Sequence, residues 1–195
     1  MLVKDISQKV IWRGLRFLGL ERESWNQQYK AGKWSGESRS PYMVELVSKL
    51  CGGGKLVEFG CGEGELPCLL PIGAFSEYHG IDISDVAVER AGLRVRKEGV
   101  ACCKFEQGDM LNWKGIPGVS VILLEECLYY LTPRQIPVFL RRCGRCLAEN
   151  GRIVVIVHSA EKHAETMDAC RSACHVMQGM LVDSRAYLIL SSHRS

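Results

Sequence analysis

From Lys55 onward, short apolar runs alternate with longer segments whose apolar residues recur at helical spacing. The runs at about 55–60, 77–83, 102–106, 119–124 and 152–157 read as strands. Between them the pattern predicts helices. One runs from Glu63 into the low seventies, with Pro67 inside the tolerated first turn. A second starts at Ser84, which can cap it, with Glu89 and Arg90 outward and Val86, Ala87 and Ala91 inward. A third spans Thr132 to Leu147, with Ile136, Phe139, Leu140 and Leu147 at helical spacing and Asn150-Gly151 as the stop. A helix near 160–175 and strands near 176–182 and 186–192 complete the alternation. Strand–helix repetition of this kind gives a parallel sheet covered on both faces. Only Asp183-Ser184-Arg185 joins the last two strands, too little for a parallel crossover, so the final strand must run antiparallel. The expectation is an α/β fold, a doubly wound seven-stranded sheet with helices on both faces.

The first forty residues stand outside this rhythm. Residues 6–20 predict an amphipathic helix (Ile6, Val10, Ile11, Leu15, Leu18). Ser24 to Trp34 is polar, non-periodic and carries three large aromatics, Trp25, Tyr29 and Trp34, around Gly32. Aromatics beside glycine in such a segment suit a binding loop; the plainer alternative is a staple onto the core.

A chain of 195 residues with 47% apolar content can bury one sizeable core, so a single domain over 1–195 is expected, with 1–40 as an N-terminal helix and lid segment. Net charge is +3 and thinly spread, and Arg90 to Lys97 reads as a solvated helix face, so charge gives no case for nucleic acid. No run of eighteen apolar residues exists and no secretory h-region opens the chain, which points to a cytoplasmic protein without membrane partners. Of ten cysteines, Cys102, Cys103 and Cys127 sit in apolar runs, where Cys behaves as a small hydrophobe. Cys143, Cys146, Cys170 and Cys174 could supply four zinc ligands, but both pairs fall in helical segments rather than zinc-knuckle turns. Buried thiols are expected there, with no metal and no disulfide scaffold.

The densest chemistry lies at Lys55-Leu-Val-Glu-Phe-Gly-Cys-Gly-Glu-Gly64, where a strand ends in an acid and turns through glycines 60, 62 and 64. A dinucleotide fingerprint needs a third glycine at 65, which is Glu65. The turn is also rimmed by Glu58, Glu63 and Glu65, a poor cradle for pyrophosphate and a better one for a cationic ligand.

This turn resembles the first motif of class I S-adenosylmethionine-dependent methyltransferases. Further motifs follow in order: His79-Gly80-Ile81-Asp82-Ile83-Ser84, Phe105 to Met110 with Asp109, Val121 to Leu131 with its Glu-x-Leu-x-x-Leu turn, and Gly151 to Ile156. The ordered set spans about residues 25 to 192 and is far more specific than any one member. The resemblance implies a Rossmann-like core, S-adenosylmethionine as cofactor, and the segment Trp25-x-x-x-Tyr29-x-x-Gly32-x-Trp34 as a lid over cofactor and substrate. It is nearest to small-molecule methyltransferases of the nodulation-factor, tellurite and thiopurine kinds.

Ligands of open α/β sheets bind beyond the carboxyl ends of the strands, where Glu58, Asp82, Asp109 and Glu125 all lie. The resemblance gives Glu58 the cofactor's amino end, directly or through water. Gly60, Cys61 and Gly62 would lie against the methionine portion. Asp82 would take the ribose hydroxyls and Ile83 the adenine face. Asp109 with Met110 would read the adenine edge, and Glu125 would lie near the sulfonium. A general base is optional, with Glu126, Tyr130 and His158 as candidates. The fourth motif lacks an Asn/Asp-Pro-Pro-Tyr turn, which argues against methylation of base or glutamine nitrogens. A small-molecule acceptor is expected, with N, O or S open. A protein or RNA methyltransferase and a catalytically silent binding subunit remain as alternatives.

Overall fold

The computed structural model describes residues 19–34 and 39–192. The helix expected over 6–20 lies outside the described residues, apart from its last two positions.

Seven strands form one sheet: β1 Lys55–Phe59, β2 Glu77–Asp82, β3 Cys103–Gln107, β4 Val119–Glu125, β5 Leu147–Val157, β6 His175–Val182 and β7 Arg185–Ser191. Their order is β3-β2-β1-β4-β5-β7-β6. Pairing is parallel from β3 through β5, and β7 runs antiparallel to both β5 and β6. The expected architecture is therefore the observed one. The β6–β7 hairpin turns on Asp183 and Ser184, both at positive φ (47° and 64°), the backbone twist of a two-residue hairpin.

Six helices are described: α1 Glu21–Lys30, α2 Pro41–Cys51, α3 Leu66–Leu69, α4 Asp85–Lys97, α5 Gln135–Cys146 and α6 Ala164–Ala173. Alternate residues of the central strands feed two cores. On one face Val57, Phe59, Ile122, Leu124 and Val155 pack with Phe139 and Leu140 of α5 and Met167 of α6. On the other, Leu56, Val121, Leu123 and Ile156 pack with Met43 and Val47 of α2 and Leu66 of α3. That is why β4 reads as an unbroken apolar run rather than an alternating one.

Three elements depart from expectation. The helix expected from Glu63 shrinks to the four residues of α3, because Leu70 precedes Pro71 and is held extended (ψ 141°). Helix α5 ends at Cys146, short of Asn150-Gly151, and β5 begins at once, with an irregularity in its pairing to β4. Helix α2 was not anticipated, although Pro41 at its first turn and left-handed Gly52 at its end are standard punctuation.

The third glycine of the turn has a packing role. Gly64 has φ +70°, and a Cβ there would stand 2.8 Å from the Ala91 Cβ and 3.1 Å from Phe105 Cζ. Gly64→Ala is expected to lower unfolding free energy by about 2–4 kcal/mol, from left-handed strain plus overpacking. A shift in urea midpoint at unchanged slope is the check; an unmoved midpoint contradicts it.

Candidate active site

Beyond the carboxyl ends of β1, β2 and β4 lies a cavity of about 320 Å3. Its floor is the glycine turn: Gly60, Cys61 and Gly62 line it, with both glycines at positive φ. A Cβ on Gly60 would meet the Cys127 Cβ at 3.1 Å, and one on Gly62 the Tyr29 hydroxyl at 3.2 Å. Only bare backbone fits between β4 and the lid.

Asp82 ties this floor to its neighbours. Its Oδ2 accepts from the Gly62 N–H at 3.0 Å and its Oδ1 from the Ser84 N–H at 2.9 Å. Burial pushes its carboxyl up to about 6, against the backbone donors of Ser84, Gly62 and Ile83. A carboxylate has about four lone-pair directions, so these donors leave it some acceptor capacity for a ligand's hydroxyl. Ile83, Asp109 and Met110 line the cavity as well. Asp109 Oδ1 accepts from the Leu111 N–H at 2.9 Å, and Arg142 of α5 donates to the Met110 and Leu111 carbonyls at 2.7 Å each, fixing the loop from outside.

Glu58 is fully buried under the turn and does not itself line the cavity. The Tyr78 hydroxyl donates to its Oε2, and Arg39 Nη1 lies 2.8 Å from its Oε1. The same guanidinium pairs with Glu125 Oε2, and Arg185 Nη1 donates to Glu125 Oε1 at 2.7 Å. Burial works against the charge on Arg39, and the Glu58 and Glu125 carboxylates outweigh it. Burial likewise holds the Glu58 carboxyl above its ordinary range despite Arg39 and Tyr78. Glu63 pairs with Arg90 at 2.7 Å and Arg94 at 3.7 Å, and Glu65 with Arg39 at 3.8 Å. The acidic rim is thus largely matched by arginines. Arg39, Arg94 and Arg185 line the cavity; Arg94 stands on the face of α4 expected to be solvated, and Arg39 and Arg185, in a loop and at a hairpin, show no partner until the chain folds.

Trp25 and Tyr29 of the aromatic segment lie on helix α1, which closes one side, and Trp34 follows in the turn after it. Trp25 stands 6.3 Å from Tyr29, 5.6 Å from Trp34 and 5.5 Å from Tyr130 by ring centroids, and all four line the cavity. Buried Asn26 latches α1 to the start of α4: its Nδ2 donates to Asp85 Oδ1 at 2.8 Å, and the Ser84 hydroxyl donates to its Oδ1 at 2.7 Å. Arg90 of α4 adds a bond to the Tyr29 carbonyl at 2.7 Å.

Of the base candidates, Glu126 and Tyr130 line the cavity and His158 does not. His158 Nδ1 stands 2.8 Å from Glu126 Oε2, which also accepts from the Tyr129 hydroxyl at 3.1 Å. Burial pushes the Tyr130 phenol up to about 12 and raises Tyr129 as well, so both keep their protons at neutral pH and act as donors. Tyr129, in sequence no more than part of the turn, makes the bond to Glu126. Among the described residues no cluster of three or more His, Cys, Asp or Glu could hold a metal ion, and burial pushes the Cys143 thiol well up.

Two predictions follow from these contacts. Arg39→Met leaves Glu58 buried without its counter-ion and is expected to cost about 3–5 kcal/mol near neutral pH. The loss should shrink as pH falls, because a protonated Glu58 needs no partner, and Glu58→Gln should recover part of it; urea titrations at two pH values check both. Asn26→Ala removes bonds worth about 1–3 kcal/mol to a buried group. Amide exchange across α1 should then accelerate at least about tenfold, with sheet amides unchanged.

Residues 56–151 match the family model described as a methyltransferase domain. No curated protein matches the chain by sequence. The N-methyltransferase NodS from Bradyrhizobium japonicum, solved with S-adenosyl-L-homocysteine, superposes with TM-score 0.66 at 16% identity, covering 87% of this chain and 98% of its own. A TehB-like S-adenosylmethionine-dependent methyltransferase from Corynebacterium glutamicum gives 0.65 at 14%, covering 88% and 98%. A putative rRNA-methylase from Clostridium thermocellum gives 0.62 at 13%, covering 78% and 94%. At these identities the likeness is one of fold. The family match spans the glycine turn and the tips of β1 to β4, the same segments that build the cavity floor, and the bared glycines and the cavity-lining Asp82 suit an adenosyl ligand. Residues 56–151 thus carry a methyltransferase domain, and the fold around them is that of the class I S-adenosylmethionine-dependent methyltransferases.

Proposed function

We propose that this enzyme methylates a small-molecule acceptor, and that the residues around the cavity divide between cofactor and acceptor. The observation that carries this reading is the shape of the site: a cavity of about 320 Å3 walled by Trp25, Tyr29, Trp34, Tyr129 and Tyr130, an aromatic enclosure rather than an open cationic surface. When bound, the cofactor supplies an electrophilic methyl group on a sulfonium.

Asp82 accepts from the ribose hydroxyls with the capacity its backbone donors leave, and Ile83 packs against the base. Asp109 and the Met110 backbone, braced by Arg142, read the edge of the base. Gly60, Cys61 and Gly62 bare their backbone to the methionine portion, and Arg39 offers its charge to the carboxylate there. Glu58 acts through Arg39, and Glu125 sets the field beside the sulfonium. Tyr29 and Trp34 exclude water from above. Holding two reactants aligned and dry is the main source of acceleration, with effective molarities of about 10⁵ M or more.

This division predicts a pH-dependent affinity. The ionised Asp82 accepts ligand donors and the protonated form does not, so binding weakens as pH falls through about 6, by up to about tenfold per pH unit. Asp82→Ala should weaken binding of S-adenosylhomocysteine by at least ~1.5 kcal/mol, because buried partners are left unpaired, and should flatten that acid limb. Calorimetric titration between pH 5 and 8 decides; unchanged affinity in the variant would mean that the ribose sits elsewhere.

A further inference from the structure

We propose that the acceptor is an amine, taken up as its ammonium ion between the Glu126 carboxylate and the aromatic wall. This rests on the small-molecule methyltransferase reading and names the chemistry of its second substrate.

Among the acids that line the cavity, Glu63, Glu65 and Glu125 are matched by arginines, and Asp82 and Asp109 accept from backbone N–H groups. Glu126 is placed otherwise. Among the described residues no Lys or Arg pairs with it; its partners are the Tyr129 hydroxyl and His158, both at Oε2, and its Oε1 is shut off from solvent without a donor. A carboxylate so placed is short of positive charge and of N–H donors, and an ammonium supplies both. The surroundings agree. Tyr129 and Tyr130 are neighbours on the Glu126 turn, ring centroids 4.8 Å apart, and Tyr130 meets Trp25 edge-on at 5.5 Å. The faces of Trp and Tyr attract cations and have no such preference for a neutral hydroxyl or thiol. Both tyrosines are held as neutral phenols, so they keep the ring electrostatics that this requires.

The backbone shows that the carboxylate is deliberately aimed. Glu126 has φ +51°, a left-handed conformation that disfavours any side chain but glycine's and clusters at functional sites. It is held there by its N–H bond to the Ile156 carbonyl at 3.0 Å and by the two side-chain bonds to Oε2.

The proton has a route out. The bound ammonium R–NH3⁺ gives one proton to Glu126, and the nitrogen lone pair forms the bond to the methyl carbon while the carbon–sulfur pair stays with sulfur as the thioether. The product leaves as R–NH2⁺–CH3. His158, half-exposed and bonded to Glu126, returns the proton to solvent. Glu126 is in this scheme the catalytic residue and His158 its positioning and relay partner.

The test uses matched probes: 2-phenylethylamine with 2-phenylethanol, tryptamine with tryptophol, and glucosamine with glucose. Each is titrated calorimetrically into the full-length protein, with and without S-adenosylhomocysteine, and each is offered with methyl-labelled cofactor. The expected result is that in at least one pair the amine binds tenfold or more tightly than its alcohol and alone takes up label. Glu126→Gln should cut that preference below about threefold while S-adenosylhomocysteine affinity stays within twofold. Equal binding within every pair, label on an alcohol, or a preference that survives Glu126→Gln would overturn the proposal. Failure of the wild-type protein to bind S-adenosylhomocysteine would instead overturn the cofactor placement, and the amine titrations without cofactor would still be read on their own.

Discussion

The site is organised around one buried carboxylate, Asp82. It accepts the N–H of Gly62 on one oxygen and that of Ser84 on the other, so the glycine turn after β1 and the start of α4 are fastened to the tip of β2 through a single group. Ser84 extends the connection in two directions. Its hydroxyl oxygen caps α4 by accepting from the Ala87 N–H at 3.1 Å, and the same hydroxyl donates to Asn26 of the lid. Gly108 joins from the far side, donating its N–H to the Asp82 carbonyl at 2.8 Å. Cofactor floor, helix cap, lid and the loop after β3 therefore share one node, and a ligand that bonds Asp82 is coupled to all four.

Charge beneath the floor follows a different logic. Tyr78, Glu58, Arg39, Glu125 and Arg185 form a chain of contacts in which no member is left without an opposite charge or a donor. Ion pairs in such a place offer little net stability, but removing one partner strands the other. Their effect is to fix the β1 and β4 tips and to present Glu125 to the cavity already paired with arginine. The acidic turn thus reads differently in three dimensions: its carboxylates are anchors for guanidinium groups, whereas Glu126 after β4 meets a tyrosine hydroxyl and a histidine.

The architecture was legible from Lys55 onward because a parallel sheet buries both faces of its strands, and that leaves continuous apolar runs between amphipathic helices. The β6–β7 hairpin was legible for a reason of length, since two or three residues cannot carry a crossover. Where expectation failed, local restraint overrode periodicity: Pro71 held Leu70 extended and cut α3 short. The lid aromatics were visible as residues, but not as a helix, because α1 has little amphipathic contrast of its own and is held by Asn26 and Arg90 against α4.

By itself the sequence determined the strand tips, the glycine turn and the acids that stand at them, because these depend on neighbours a few residues away. Only the tertiary structure decided which acids are spoken for. Arg39 reaches Glu125 across 86 residues and Arg185 reaches it across 60, and no local pattern records which distant arginine comes to meet a given carboxylate. Glu58 and Glu126, equivalent as letters, become a buried anchor and a cavity-lining carboxylate because burial and charge pairing are properties of the folded chain.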